Sequence, residues 1–183
     1  LVKKSLKQHK MRLQLVMLLQ NPLQTRDMER VSKTDLPTFA KRVLEKIQSL
    51  LAAEALAKET DSREKAVIVA LCGNLGAGKT TFVQALGAEL GITANIQSPT
   101  YVIMKRYDIN FGRFTSLVHI DAYRFEKAEE FSALKPETFL NDPQTLVVIE
   151  WPERVEGVLP TPDLLLNFSA DNAEADERYI EIQ

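Results

Sequence analysis

The sequence predicts an α/β fold, a three-layer arrangement around a partly parallel sheet with antiparallel additions. Three observations predict it. Apolar, β-branched runs recur along the chain, at "KAVIVALC" (65–72), "TSLVHIDAY" (115–123) and "QTLVVIEW" (144–151), and read as buried strands. In the first half, strand and helix patterns alternate, which points to parallel pairing; in the second half strands follow at hairpin-like spacing. Between the first strand and the next helix stands a turn with three glycines in six positions, Gly73, Gly76 and Gly78.

Residues 1–33 form a basic segment of uncertain order. They carry eight Lys/Arg against two acids, net +6, while the whole chain of 183 residues is −2, so the other 150 carry −8. "LVKKSLKQHKMRLQLVMLLQ" half resembles a secretion signal or an organelle presequence, but glutamines flank its apolar run and no small-residue cleavage site follows. A solvated tail or a packed short helix competes there with a basic patch for RNA. The chain begins with Leu1, and Met11, Met17 and Met28 are alternative starts. From residue 34 to 183 the pattern is that of one domain.

"TFAKRVLEKIQSLLAAEALAKE" (38–59) has Phe39, Val43, Leu44, Ile47, Leu50 and Leu51 at helical spacing. Thr34 or Asp35 can cap it, with Pro37 near its first turn. "TDSRE" is a polar loop. Strand 66–72 follows, then the glycine turn, then a helix over 79–90 ending near Gly91. Strands are expected over 100–109 and 115–123, around the turn "NFGR". "KAEEFSALK" reads as a short helix, 144–151 as a buried strand, and "DLLLNF" (163–168) and "ERYIEI" (177–182) as closing strands.

The turn carries the chemistry. Gly73-x-x-x-x-Gly78-Lys79-Thr80 is the phosphate-binding loop pattern. Its backbone N–H groups and the positive end of the following helix cradle an anion. Lys79 adds a point charge for β- and γ-phosphates, and the Thr80 hydroxyl is a Mg²⁺ ligand. Such a site needs a carboxylate at the end of a neighbouring strand. Two runs end in acid, "SLVHID" at Asp121 and "TLVVIE" at Glu150, where α/β sheets place their ligands. Two metal-side carboxylates suit a site in which one holds Mg²⁺ and the other orients water; the alternative is that one of them is a structural partner of Arg124 or Arg154. "QSPTY" (97–101) offers Thr100 as a nucleotide-sensing switch residue, with Lys105 and Arg106 exposed for contact, although Ser-Pro-Thr is also a plain turn. His119, inside a strand, reads as a hydrogen-bonded core residue, and Cys72 as a small core residue.

Several classes are excluded. No Asn-Lys-x-Asp base reader of GTPases and no Ser-Gly-Gly signature of transporter ATPases occurs, and the arginines do not form a kinase-like lid. The single cysteine cannot form an internal disulfide and fits a reducing, cytoplasmic compartment. No apolar run is long enough to span a membrane.

"GNLGAGKTTF", "SPTY", "HIDAYRF", "IEWPE" and "GVLPTPD" occur in an order and spacing that closely resemble the TsaE (YjeE) family of P-loop ATPases required for threonylcarbamoyladenosine modification of tRNA. The resemblance covers about residues 66–168. It implies a P-loop NTPase-like sheet with a parallel centre and antiparallel flanks. It also implies Mg²⁺-dependent ATP hydrolysis coupled to a TsaB–TsaD complex, with tRNA met only indirectly through that complex. It implies that Gly76, Ala77, Gly78, Lys79, Thr80 and Thr81 hold the phosphates. Thr80 and Glu150 would bind Mg²⁺, and Asp121 would act near the γ-phosphate and the metal. Thr100 would sit in the switch-like loop, Trp151 beside the site and Arg178 near the adenosine. Asn74 departs from the family's usual Asp, the helix over 38–59 is longer than usual, the adenine-side threonine is ambiguous between Thr34 and Thr38, and residues 1–33 have no counterpart. Two other readings remain: a small-molecule kinase with its own acceptor, and a nucleotide-gated binding module with negligible turnover.

Overall fold

A computed structural model describes residues 28–58, 63–97 and 102–183. Seven strands form one sheet: β1 (Glu29–Ser32), β2 (Val67–Cys72), β3 (Met104–Phe111), β4 (Phe114–Asp121), β5 (Thr145–Glu150), β6 (Leu164–Ser169) and β7 (Glu177–Ile182). Their order across the sheet is β1-β7-β6-β2-β5-β4-β3. β6, β2, β5 and β4 are mutually parallel, while β3 runs antiparallel to β4 and β7 antiparallel to β6 and β1. The parallel centre with antiparallel flanks is therefore as expected.

Side-chain alternation along β2 divides the interior in two. Val67, Val69 and Leu71 face one cluster with Phe39, Val43, Ile47, Phe82 and Leu86, from the helices α1 (Leu36–Lys58) and α2 (Lys79–Glu89). Ile68 and Ala70 face the other, with Phe131, Phe139 and Leu140. These come from a 3₁₀ segment (Ala128–Leu134) and the short helix α3 (Glu137–Leu140). This makes three layers, in which Phe82 stacks on Phe39 of α1 at 5.8 Å and on Phe168 of β6 at 5.7 Å. The α2 helix is thereby fixed over the end of the sheet where β2 turns into the glycine loop.

Several boundaries moved for local reasons. α1 starts at Leu36, with Asp35 rather than Thr34 accepting the first helical N–H, from Phe39. The strand expected over 100–109 begins only at Met104, because Ile103 takes a left-handed φ of 64°; residues 98–101 lie outside the described residues. The helix expected over 127–135 winds as 3₁₀ and is stopped by Lys135, left-handed at φ 51°, before Pro136. β1 was not expected at all. It lies within the basic segment 1–33, and Val31 pairs with Arg178; residues 1–27 lie outside the described residues.

Gly73 is where strand becomes loop. Its φ is 136°, and a Cβ there would stand 2.3 Å from the carbonyl oxygen of Phe168 in β6. The obstacle is backbone, which has no rotamer to retreat into. Gly73→Ala is expected to cost about 2–4 kcal/mol through strain and overpacking. It should be read as a lower denaturant midpoint at unchanged slope; an unchanged midpoint would show that the loop is free to move off β6.

Candidate phosphate-binding site

The loop leaves β2 and closes through the Ala77 N–H, which donates to the Asn74 carbonyl at 3.1 Å. Gly76 (φ 79°) and Gly78 (φ 96°) take conformations that side chains resist. Among the described residues, no atom beyond the chain neighbours lies within 4 Å of where a Cβ on Gly76 would stand, whereas one on Gly78 would meet Arg178 Cγ at 3.3 Å. Gly78 caps α2, so Lys79, Thr80 and Thr81 form its first turn and their N–H groups have no partner within the helix. Bare backbone, open space and a positive helix end coincide, as an anionic phosphate chain requires.

Lys79 is only 4% exposed. Its Nζ donates to the carbonyls of Gly73 (2.5 Å) and Asn74 (3.0 Å) and lies 3.9 Å from the centre of the Trp151 ring. Burial pushes the lysine below its ordinary pKa, and the nearby carboxyls of Glu150, Glu153 and Asp121 pull the other way. Trp151 takes a left-handed φ of 59° directly after β5 and packs on Tyr123 at 5.0 Å. Asn74 is exposed, so its side chain is directed away from the loop's interior.

The two strand-end acids lie side by side, Asp121 opposite Glu150 in the β4–β5 register. Both are buried, at 3% and 2% exposure. Thr80 Oγ1 donates to both oxygens of Glu150, at 2.9 and 3.0 Å. Asp121 Oδ1 accepts the Tyr123 N–H at 3.0 Å. Thr80 and Glu150 are thus hard oxygen donors within reach of one ion. Among the described residues there is no cluster of three or more His, Cys, Asp or Glu able to hold a metal without help. That donor set fits Mg²⁺, which takes one or two protein oxygens and completes its shell with phosphate and water.

The structure brings Lys79, Thr80, Asp121, Glu150, Trp151 and Arg178 to this one loop. Arg178 on β7 donates through Nη2 to the Gly76 carbonyl at 3.3 Å, and through Nη1 to the carbonyls of Ala175 and Glu177. Thr100 lies outside the described residues. Lys105 and Arg106 are exposed, although Arg106 also donates to Ser116 Oγ at 2.9 Å and reaches Asp142 at 3.5 Å. Thr34 shares a 2.8 Å hydrogen bond with Ser32 beside β1, and Thr38 lies in the first turn of α1. Cys72 is buried and its thiol is pushed up to about 12, chiefly by burial and then by Glu153, which suits an inert core group.

Sequence reasoning missed Glu153. It lies in the 3₁₀ turn Pro152–Val155, where burial pushes its carboxyl above the ordinary range, against the pull of Lys79 and Arg154. Its Oε2 is buried with no hydrogen-bond partner among the described residues. An acid with a raised folded pKa is penalised once ionised. The penalty is absent below the unfolded carboxylate value and complete above the folded one. Glu153→Gln should therefore raise Tm by about 2–4 °C at pH 7, and the gain should vanish on acidification below the ordinary carboxylate range. A gain that persists at low pH would contradict this origin.

The family model described as threonylcarbamoyl adenosine biosynthesis protein TsaE matches residues 43–180. The chain is 37% identical over 105 residues to the tRNA threonylcarbamoyladenosine biosynthesis protein TsaE of Haemophilus influenzae, covering 57% of this chain and 64% of that protein. It is thus matched over less than two thirds of that relative's length. To the protein of the same name from Bacillus subtilis it is 38% identical over 128 residues, 69% of this chain and 76% of the relative. The crystal structure of YdiB from the same organism superposes with a TM-score of 0.50 at 27% identity, over 84% of each chain. A glycine loop followed by acids at the ends of β4 and β5, and a family match over residues 43–180, agree on one assignment: the chain belongs to the TsaE family.

Proposed function

We propose that the chain binds and slowly hydrolyses ATP with Mg²⁺, as a factor in threonylcarbamoyladenosine modification of tRNA that acts with a TsaB–TsaD complex. The observation that carries the ATP reading is the contact of Thr80 with Glu150 at the mouth of a glycine loop holding a buried Lys79. The tRNA pathway rests on family membership. The N–H groups from Gly76 to Thr81 bind the phosphates, and Lys79 neutralises charge on the β- and γ-phosphates. Thr80 Oγ1 and Glu150 would hold Mg²⁺, which would supply charge neutralisation to the phosphates. Asp121, beside Glu150, orients the attacking water. Trp151 keeps Lys79 in place, and Arg178 steadies the loop from β7 on the adenosine side. Thr100 and the flanking Lys105 and Arg106 form the surface that reports nucleotide state to the partner. Among the described residues no helix is long and apolar enough to cross a membrane.

The test is an ATP turnover assay with and without purified TsaB and TsaD, alongside a pull-down in ATP, in ADP and without nucleotide. Slow turnover alone and partner capture that depends on nucleotide are expected. Capture that is equal in all three conditions would rule out nucleotide-dependent coupling, and phosphate transfer to an added small-molecule acceptor would favour a kinase.

A further inference from the structure

His119 is completely buried. It stands two residues before Asp121 on β4, so both side chains project from the same face. In the β4–β5 register, His119 lies opposite Val148 and Asp121 opposite Glu150. This places the imidazole against the inner side of the Glu150 carboxylate, with Nε2 at 2.9 Å from Oε1. A carboxylate oxygen accepts hydrogen bonds, so the tautomer that makes this contact is the one with the proton on Nε2. The other ring nitrogen, Nδ1, is buried with no hydrogen-bond partner among the described residues. Among the described residues the ring leaves one nitrogen unsatisfied and spends the other on the acid of the site.

Glu150 thus accepts from two sides, from His119 at Oε1 and from Thr80 at both oxygens. The two contacts differ in what ion binding would do to them. To hold a cation jointly with Glu150, Thr80 would turn its hydroxyl proton away and offer an Oγ1 lone pair. The His119 contact faces the interior and can persist, leaving Oε2 turned to the loop. We infer that His119 is the positioning residue of the metal side of this site: its Nε2–H pins Oε1 of Glu150, so that the remaining oxygen is presented to the cation in one orientation. Groups that orient a metal-binding carboxylate in this way typically change metal affinity by about 10–100-fold when removed. The inference rests on the Mg²⁺–nucleotide reading above and adds a residue to it.

The experiment titrates Mg²⁺ against nucleotide binding, not turnover. Trp151 is the only tryptophan in the chain and sits against Lys79, so its fluorescence reports occupancy of the loop. Three variants are compared. His119→Leu removes the donor, His119→Gln places an amide N–H where Nε2 stands, and His119→Asn keeps polarity but falls short of that position. In Leu and Asn the Mg²⁺ concentration for half-maximal effect should rise about tenfold or more, with nucleotide affinity in EDTA unchanged. Gln should stay within about threefold of wild type. If His119→Leu does not fold, the contrast between Gln and Asn carries the test. A wild-type dependence on Mg²⁺ that Leu and Asn leave unmoved, or equal loss in Gln and Asn, overturns the role of His119 alone. No Mg²⁺ dependence in wild type overturns the metal reading itself, and this inference with it.

Discussion

Lys79→Ala is expected to lower ATP turnover by about 10²–10³-fold, the range for removing one preorganised charge-stabilising donor, in a protein that still folds. The fold should survive because the lysine's two bonds to Gly73 and Asn74 are not the main determinants of the loop's shape. The left-handed glycines, the Ala77–Asn74 hydrogen bond and the stacking of Phe82 on Phe39 and Phe168 set it. The lysine is a burden on the fold: burial pushes its pKa below the ordinary value even though three carboxyls stand near. A cation with a lowered folded pKa destabilises the native state most below that pKa, and the penalty fades as pH rises toward the unfolded lysine value. Wild type should therefore gain stability relative to Lys79→Ala as pH climbs through that window. Denaturant midpoints of both proteins at neutral and high pH measure this. Unchanged turnover in a folded Lys79→Ala protein would remove the phosphate loop from the mechanism.

How far the sequence could be read depended on where the deciding contact lies. The strands β2, β4, β5 and β6 were legible because each holds an apolar run within a few residues of its true limits, and burial follows from the run itself; in β7, "ERYIEI", only Ile180 is buried. β1 was not legible. "ERVS" is short and half charged, and it is held by its partner β7 at the far end of the chain and by the Arg42–Glu29 ion pair at 2.6 Å. The glycine loop between β2 and α2 was legible because its spacing is local. The tasks of His119 and Glu153 were not, because they depend on the β4–β5 register and on the turn after Trp151. The period-two spacing of His119 and Asp121 did put them on one face of a strand; what that face meets is a tertiary fact. Lys79 shows the same limit: its residue type announced a phosphate ligand, but only the fold shows its ammonium turned back onto Gly73 and Asn74.

The two acids should separate by what each change damages. Glu150→Gln is expected to raise the Mg²⁺ requirement for nucleotide binding by about 10–100-fold, because a neutral amide is a poor ligand for a hard cation. The amide must also reconcile two neighbours: its oxygen can accept from His119 or from Thr80, but its NH₂ would then face the other donor. Thr80 can rotate its hydroxyl to accept, while the His119 Nε2–H cannot, so the amide oxygen should settle toward His119 and the NH₂ toward Thr80 and the cation. That orientation opposes metal binding through charge as well as through donor type. Asp121→Asn should leave the Mg²⁺ requirement within about threefold, since the bonds that orient the two oxygens of Glu150 come from Thr80 and His119. It should instead lower turnover by about 10²-fold, the low end for losing a group that takes or directs a proton. Binding titrations over Mg²⁺ and turnover at saturating Mg²⁺, measured on both variants, give four numbers whose pattern decides the roles. Equal losses in both acids would mean that they act as one coupled pair. No loss in either would make them structural partners of the sheet edge, and the site would have to be sought elsewhere.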